Sequence, residues 1–450
     1  MFKLLKKLRG DRRGNALAIA GLCLPLIIGS AGLASDTIQW ALMKRQLQRT
    51  ADSAALAGVY GKMASQTVST GTCSATNSQP VYRDVFNSTQ SNANTRLDTT
   101  VSCTVGTPAS PWNAATYNAV QVTVSAQRAM AFSGFFLSTA PTITASATAA
   151  VVQSGKYCVI SLKNDSGTGI DFSGNAGVNL GCGLKTNAKG ASAIDGTGSS
   201  AITASPVAAV GQIANGGNFA SGTTFQPYSS PQTDPYASLN PPDSSTYPNG
   251  NCPNFSVNSN QVKNGITSGS DYKPMSGAAA GYYCMNSMSL NGTVTLPSGV
   301  YIIDGGDFSV GAQANVTCTG CTFVLTNRST ATTPAPSIGK VNMNGGATVN
   351  LTNSTGGTYA NLLFYQDRRA TLNNGVGQSN LINGNSSSIL QGTMYFPSTS
   401  TTFNGTSGMT TNCVQLVGWT VAFTGNTSIS NNCPAGGPHS FDGSMVRLVA

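Results

Sequence analysis

Hydrophobic positions follow different rules in successive parts of this chain. Between residues 14 and 35 they are nearly continuous, and no charged side chain interrupts them. As an α-helix this run spans ~33 Å at ~1.5 Å per residue, enough to cross a hydrocarbon core of ~30 Å. Pro25 lies inside it, which a membrane helix tolerates better than a soluble one. Next, Met43, Leu47, Ala51, Ala54 and Gly58 recur at spacings of four and three, so they share one helix face. The residues of that face are mostly small. They suit close packing against the chain's own domain or against a partner subunit. Further on the period drops to two, at residues 99–105, 119–124 and 141–152, which predicts three strands. Helical stretches are expected over 81–97 and, shorter, over 129–137. One long helix followed by an antiparallel sheet is an α+β plan for residues 36–152.

From about residue 156 a third pattern takes over. A large apolar residue is followed by one spacer, a glycine, three spacers and another apolar residue. Copies begin at Phe172, Leu290, Met343, Phe403 and Phe423, with a looser one from Phe308 to Val316. Each reads as a short strand, a Gly/Asn turn that accepts positive φ, and a second short strand. Units of this kind bury an apolar face only by stacking. The expected architecture for 156–450 is therefore mostly β, a right-handed parallel β-helix with Asn, Ser and Thr stacked along it. A twisted β-sandwich with Gly-rich hairpins is the alternative. Residues 227–253, rich in Pro, Ser and Asn, are expected to be an inserted surface loop or linker, and 330–336 a shorter one.

Charge changes the picture in two ways. Charged residues make up only 9% of the 450 positions, and all fifteen acids are Asp. Recurrent Val, Ile, Thr and aromatic residues argue for β-structure rather than disorder. The net charge of +9 is misleading, because nine of the 24 basic residues precede residue 50. The remainder of the chain is near neutral and carries no basic stripe for nucleic acid. Lys3, Lys6, Lys7, Arg9, Arg12 and Arg13 form a basic segment over residues 1–13. By the positive-inside rule they keep the N-terminus in the cytoplasm and place the bulk of the chain outside the inner membrane. A cleaved signal peptide is the alternative. It is disfavoured by the length of the apolar run, which no clean A-x-A site follows.

Cysteine usage agrees with export. Cys23 falls in the apolar run, where it reads as a small apolar residue. The remaining ten (Cys73, Cys103, Cys158, Cys182, Cys252, Cys284, Cys318, Cys321, Cys413 and Cys433) are even in number, as disulfides of an oxidising compartment would be. Pairing in sequential order is expected. Cys318-x-x-Cys321 could instead be a redox motif or a zinc half-site. The strand-like 322–326 follows it where a helix would be needed, and the one histidine, His439, is distant. For catalysis on a glycan, Asp304 with Asp307, or Asp367 with Arg368 and Arg369, are the candidate groups. Asp304 and Asp307 flank Gly305-Gly306, which reads as a turn, and Asp367-Arg368-Arg369 reads as a local ion pair at a strand end. No catalytic, metal or cofactor site is therefore expected.

Residues 12–61 combine R-x-G-x, an apolar span, a Gly-Leu-Ala turn to Asp36 and a helix reading LQRTADSAALAG. This segment resembles the tight-adherence (Tad) pilus-assembly family, TadE/TadG-like, with the region to about residue 152 fitting more loosely. The resemblance implies a pilin-like domain over 36–152, a bacterial inner-membrane anchor and other pilus-assembly proteins as partners. Processed pseudopilins carry Glu soon after the cleavage glycine, whereas here Ile19 stands five residues after Gly14, so the anchor is expected to be retained. A von Willebrand-type D-x-S-x-S metal site is not expected either, since the nearest string, Asp195-Gly196-Thr197-Gly198-Ser199, lacks the first Ser. The reading is a membrane-anchored, extracytoplasmic, non-catalytic assembly protein. Two alternatives remain open: a cell-surface adhesin or carbohydrate-binding protein, and a β-helix glycan-degrading enzyme.

Overall fold

The computed structural model describes residues 13–65, 70–93, 100–108, 110–112, 118–277, 281–331, 336–370, 379–383, 385–404, 409–426, 428–431 and 441–450. The basic segment before Arg13, the end of the expected second helix beyond Ala93, Cys433 and His439 lie outside them, as does the side chain of Cys413. The chain divides into two compact units, residues 1–152 with 445–450, and residues 153–444.

In the first unit one helix, α1 (Arg13–Ser65), takes up both the apolar run and the small-residue pattern, with Pro25 inside it. The expected turn at Gly-Leu-Ala before Asp36 does not form. No proline stands there, and the Asp36 carboxylate is engaged elsewhere instead of capping a new helix start. α1 is about 80 Å long. Its second half buries Met43, Leu47, Ala51, Ala54, Ala55 and Val59. α2 (Pro80–Ala93) packs against it. The approach is close: a Cβ on Gly61 would stand 2.8 Å from the Val81 backbone, and one on Gly58 2.9 Å from Val85 Cγ2. Small residues on this face are thus required by the approach of α2.

The short β1 (Gly71–Thr72), β2 (Val101–Gly106), β3 (Val120–Gln127) and β4 (Thr142–Ser161) pair antiparallel in that order. Val101, Cys103 and Val105 point to the core while Ser102 and Thr104 are exposed, the alternation of a half-buried sheet. Val120, Val122 and Val124 of β3 join the α1 face in one apolar cluster. The helix expected over 129–137 is only a 3₁₀ turn at Ser133–Phe135. Gly134 weakens helix there, and the amides of Phe132 and Ser133 donate to Asp36 rather than into a helical ladder.

Among the described residues, the pairings from Tyr157 to Asn431 in the second unit are parallel, apart from one short antiparallel pair at Lys273–Pro274. They form three ladders that the chain visits in a fixed cyclic order. The first runs from Tyr282–Met285 through Gly299–Asp304, Cys321–Thr326 and Leu362–Gln366 to 393–396 and 414–418. It continues through 159–161 of β4 to Gly183–Thr186, Val207–Ala209 and Phe225–Gln226. The second ladder carries the repeat's leading apolar residues in register. Leu290, Val310, Met343, Ile382, Phe403, Phe423 and Phe172 form one column, although Phe172 comes first in sequence. The third holds Val294, Val316 and Val349 likewise.

The glycines of the repeat serve two different needs. Gly174 and Gly425 have φ of 72° and 70°, as expected of the turn. Gly292 is instead excluded from bearing a side chain by the backbone oxygens of Asn258 and Gln261. Polar stacking is present too, with Asn175 Nδ2 donating to Asn426 Oδ1 at 3.2 Å.

The order of strands has a consequence for residues 227–253. The chain joins the stack in its middle, at 157–161, and winds to the Phe225–Gln226 end. It resumes at Asn254–Val257, on the opposite end, and winds back to close on β4. Residues 227–253 make the return along the first ladder. They are an irregular strap packed on that ladder, the surface loop of the expectation rather than a linker. Tyr359 and Tyr365 hydroxyls donate to the Asn240 and Leu239 carbonyls at 2.9 and 3.0 Å. Arg368 donates to the Tyr236 and Leu239 carbonyls, and Arg328 to the Gly250 carbonyl at 2.9 Å. Tyr247 and Cys252 of the strap are buried in an apolar cluster with Tyr359, Tyr365 and Tyr395. The ladder is therefore covered on both faces.

Among the described residues four cysteine pairs stand at bonding distance, Cys73–Cys103, Cys158–Cys182, Cys252–Cys284 and Cys318–Cys321, all in sequential order. Cys23 is free and exposed on α1.

Candidate functional site

The groups that could have carried catalysis are each engaged in holding the fold. Asp304 accepts from the Arg328 amide at 2.8 Å and pairs with the Arg328 guanidinium. Asp307 accepts from the Lys340 amide at 2.9 Å. Asp367, 3% exposed, takes Arg369 Nη2 at 2.7 Å and Nε at 3.0 Å on one oxygen, with the Thr326 hydroxyl at 2.8 Å. Arg368 turns away from this pair to the strap and to the Tyr395 hydroxyl at 2.9 Å. Cys252, Cys284 and Asp304 come together as ligands of a metal would. The two sulfurs are bonded to each other, however, and the Arg328 cation stands 3.1 Å from Cys252 Sγ, so the thiolates a metal needs are missing. Asp195 accepts from Asn215 Nδ2 at 2.7 Å, in a strand, and Gly198 beyond it is a turn residue with φ of 66°.

A structural role for Asp367 has a measurable consequence. Asp367→Ala removes a charge-assisted pair and the acceptor of the Thr326 hydroxyl, while Arg369 keeps its bonds to the Asn327 and Ser329 carbonyls. A loss of about 2–3 kcal/mol in unfolding free energy is expected. An unchanged denaturant midpoint would contradict the structural assignment.

The surface that stands out belongs to α1. Ile19, Leu22, Leu24, Leu26, Ile27 and Leu33 are between 54% and 76% exposed. Nothing among the described residues covers them, and a helix apolar on every side has no polar face to give to water. This part of α1 is long and apolar enough to cross a membrane. Farther along, α1 turns into a docking rod. Gln48 Nε2 donates to the Ser146 carbonyl at 3.0 Å, and Lys44 reaches the Thr144 carbonyl on β4. The apolar exterior therefore changes into a buried face between Asp36 and Met43.

Two features at this change were not anticipated from sequence. Asp36 is only 1% exposed, and its oxygens accept from the Ser133 amide at 2.5 Å and the Phe132 amide at 3.4 Å. Just beyond, Arg45, Arg49 and Arg128 share a cleft of about 380 Å³ with Gln39 and Gln46. An acid placed directly after an apolar span was the available signal for the first, since such a group must find donors. Arg128 has no sequence signal linking it to α1.

Residues 14–65 match the family described as Flp pilus-assembly TadE/G-like, and the matched segment coincides with α1. No curated protein matches the chain, and no solved structure does.

Proposed function

We propose, from this TadE/G-like segment, that the chain is a membrane-anchored, non-catalytic structural or assembly component of a Tad/Flp pilus system. The single observation that carries the reading is that the matched residues are those whose first half is an exposed apolar helix and whose second half is the core of a folded head. The N-terminus lies in the cytoplasm and the bulk of the chain on the far side of the inner membrane, and the paired cysteines favour that compartment. The second unit is a right-handed parallel β-helix in this reading, a reading supported by three parallel ladders visited in cyclic order. It offers partners a long, nearly neutral surface.

A periplasm-active reporter fused after Val152 is expected to be active and to sediment with membranes. Deletion of the whole chain is expected to remove surface pili, with recovery on re-expression of the full sequence but not of one lacking residues 14–65. A soluble, released reporter would overturn the anchor. Normal pili in the deletion strain would overturn the assembly role.

One observation favours carbohydrate binding as a second reading. Phe225 and Tyr228, 41% and 68% exposed, line a cleft of about 260 Å³ with Pro227 at the end of the first ladder. Absence of glycan binding by the full chain would remove it.

A further inference from the structure

We propose that the loop after β3, residues 130–137, is a second membrane contact. Its aromatic tip inserts into the lipid bilayer beside α1 and fixes the tilt of the head on the membrane. The inference rests on the anchor reading above and adds a contact that reading does not contain.

The loop reads Met-Ala-Phe-Ser-Gly-Phe-Phe-Leu. Phe132 packs against the apolar part of α1. A Cβ on Gly32 would collide with its ring, and one on Gly29 would touch it at 3.9 Å. Both glycines belong to the charge-free span, so the loop is held at the depth of that span and not above it. Phe135, Phe136 and Leu137 extend from this anchor point and are 87%, 76% and 47% exposed. Phe136 touches Phe132 with ring centroids 5.4 Å apart, so the tip is a single apolar wedge. Three adjacent exposed apolar side chains on a soluble surface would be costly. Here they stand beside a helix that also exposes Leu33 and Ile38.

The polar groups around the wedge fit the same depth. Asp36 would be a bare carboxylate at the edge of the hydrocarbon. The 3₁₀ turn covers it and supplies two amide donors, which removes the cost of placing it there. Arg45 lies about 14 Å farther along the axis from Asp36. It shares its cleft with Arg49 and Arg128, and among the described residues none of the three makes an ion pair. Apolar residues deep, a shielded acid at the boundary and arginines above form the sequence of environments of a membrane interface, where long cationic side chains reach toward lipid phosphates. A lipid surface accounts for the whole order. A protein partner would account for the aromatic tip alone.

The test uses the full chain in native membranes, with the photoreactive residue p-benzoylphenylalanine placed singly at Phe135, Phe136, Leu26 or Tyr60. Tyr60 is 47% exposed on the same helix, about 36 Å beyond Asp36. Irradiation is expected to give lipid adducts at Phe135, Phe136 and Leu26 and none at Tyr60. Adducts to protein at Phe135 and Phe136, or none there while Leu26 labels lipid, would overturn the proposal and leave the anchor standing. A Leu26 position that captures no lipid would overturn the anchor and the wedge with it.

Discussion

Phe423→Ala is expected to lower the unfolding free energy of the detergent-solubilised chain by about 3–5 kcal/mol, the usual cost of emptying a phenylalanine site in a close-packed core. Phe423 is fully buried, with its ring parallel to that of Phe172 at 5.0 Å and 9°, and 5.4 Å from Phe403. Its place in the stack matters as much as its area. The register pairs Phe423 with Phe172 and Leu416 with Val159, so this layer joins the last windings of the chain to the first. Loss of the ring weakens the seam that closes the second unit. Hydrogen exchange in 157–172 and 414–424 should rise together. Val262→Ser, at a position 70% exposed, should stay within about 0.5 kcal/mol of the parent. A Phe423→Ala loss below about 1 kcal/mol would mean the rings are not what closes the seam.

That seam marks the boundary of what was legible beforehand. The repeat of apolar residue, glycine and apolar residue predicted the strands at Phe172, Leu290 and Met343, because a buried side chain and a tight turn each restrict residue type. The repeat carries no address. Phe172 could stack as well on Leu290 as on Phe423, and only the path of residues 227–253 decides between them. The composition of that strap is that of a loop, and it does not reveal that the loop packs. Its packing instead relies on backbone carbonyls, which sequence does not distinguish, meeting Arg328, Tyr359, Tyr365 and Arg368. A hint was present in the run Leu362-Leu363-Phe364-Tyr365, which is apolar at every position. Such a run belongs to a strand covered on both faces.

In the first unit the alternation of β2 and the small face of α1 were readable, because one side of each meets the core and the other does not. A short helix is the expectation over 129–137, and the chain forms only a 3₁₀ turn there. What decides its form is Asp36, about a hundred residues earlier in the chain. Its carboxylate takes the two amides that would otherwise start that helix. Pairing between distant residues of this kind leaves no periodic trace.

Stability of the second unit should peak near pH 10 and then collapse. Burial holds the phenols of Tyr247, Tyr301, Tyr359, Tyr365 and Tyr395 well above their ordinary range. The Asp304 charge near Tyr247 and the hydrogen bond from Tyr395 to Asp234 at 2.7 Å add to this. Below pH 10 these groups are protonated whether the chain is folded or not, and they contribute no slope. Above it the unfolded chain releases their protons while the folded chain retains them, so stability falls. Each phenol contributes about 1.4 kcal/mol per pH unit, and five together up to about 7. Lys185, fully buried over the Tyr157 ring, acts in the opposite sense at lower pH. Burial depresses its pKa to about 8, so between pH 8 and its unfolded value of 10.5 the unfolded chain binds more protons and stability rises with pH. Denaturant midpoints measured from pH 7 to 12, with phenolate absorbance followed in parallel, should therefore climb, turn over near pH 10 and drop as unfolding and tyrosine ionisation occur together. Tyr365→Phe should flatten the descending limb by about 1.4 kcal/mol per pH unit. At neutral pH it should cost about 0.5–1.5 kcal/mol for the hydrogen bond to Leu239. If all the phenols ionised near pH 10 with the fold intact, the tyrosines would have to be open to water, and the strap of residues 227–253 could not be packed over Tyr359, Tyr365 and Tyr395.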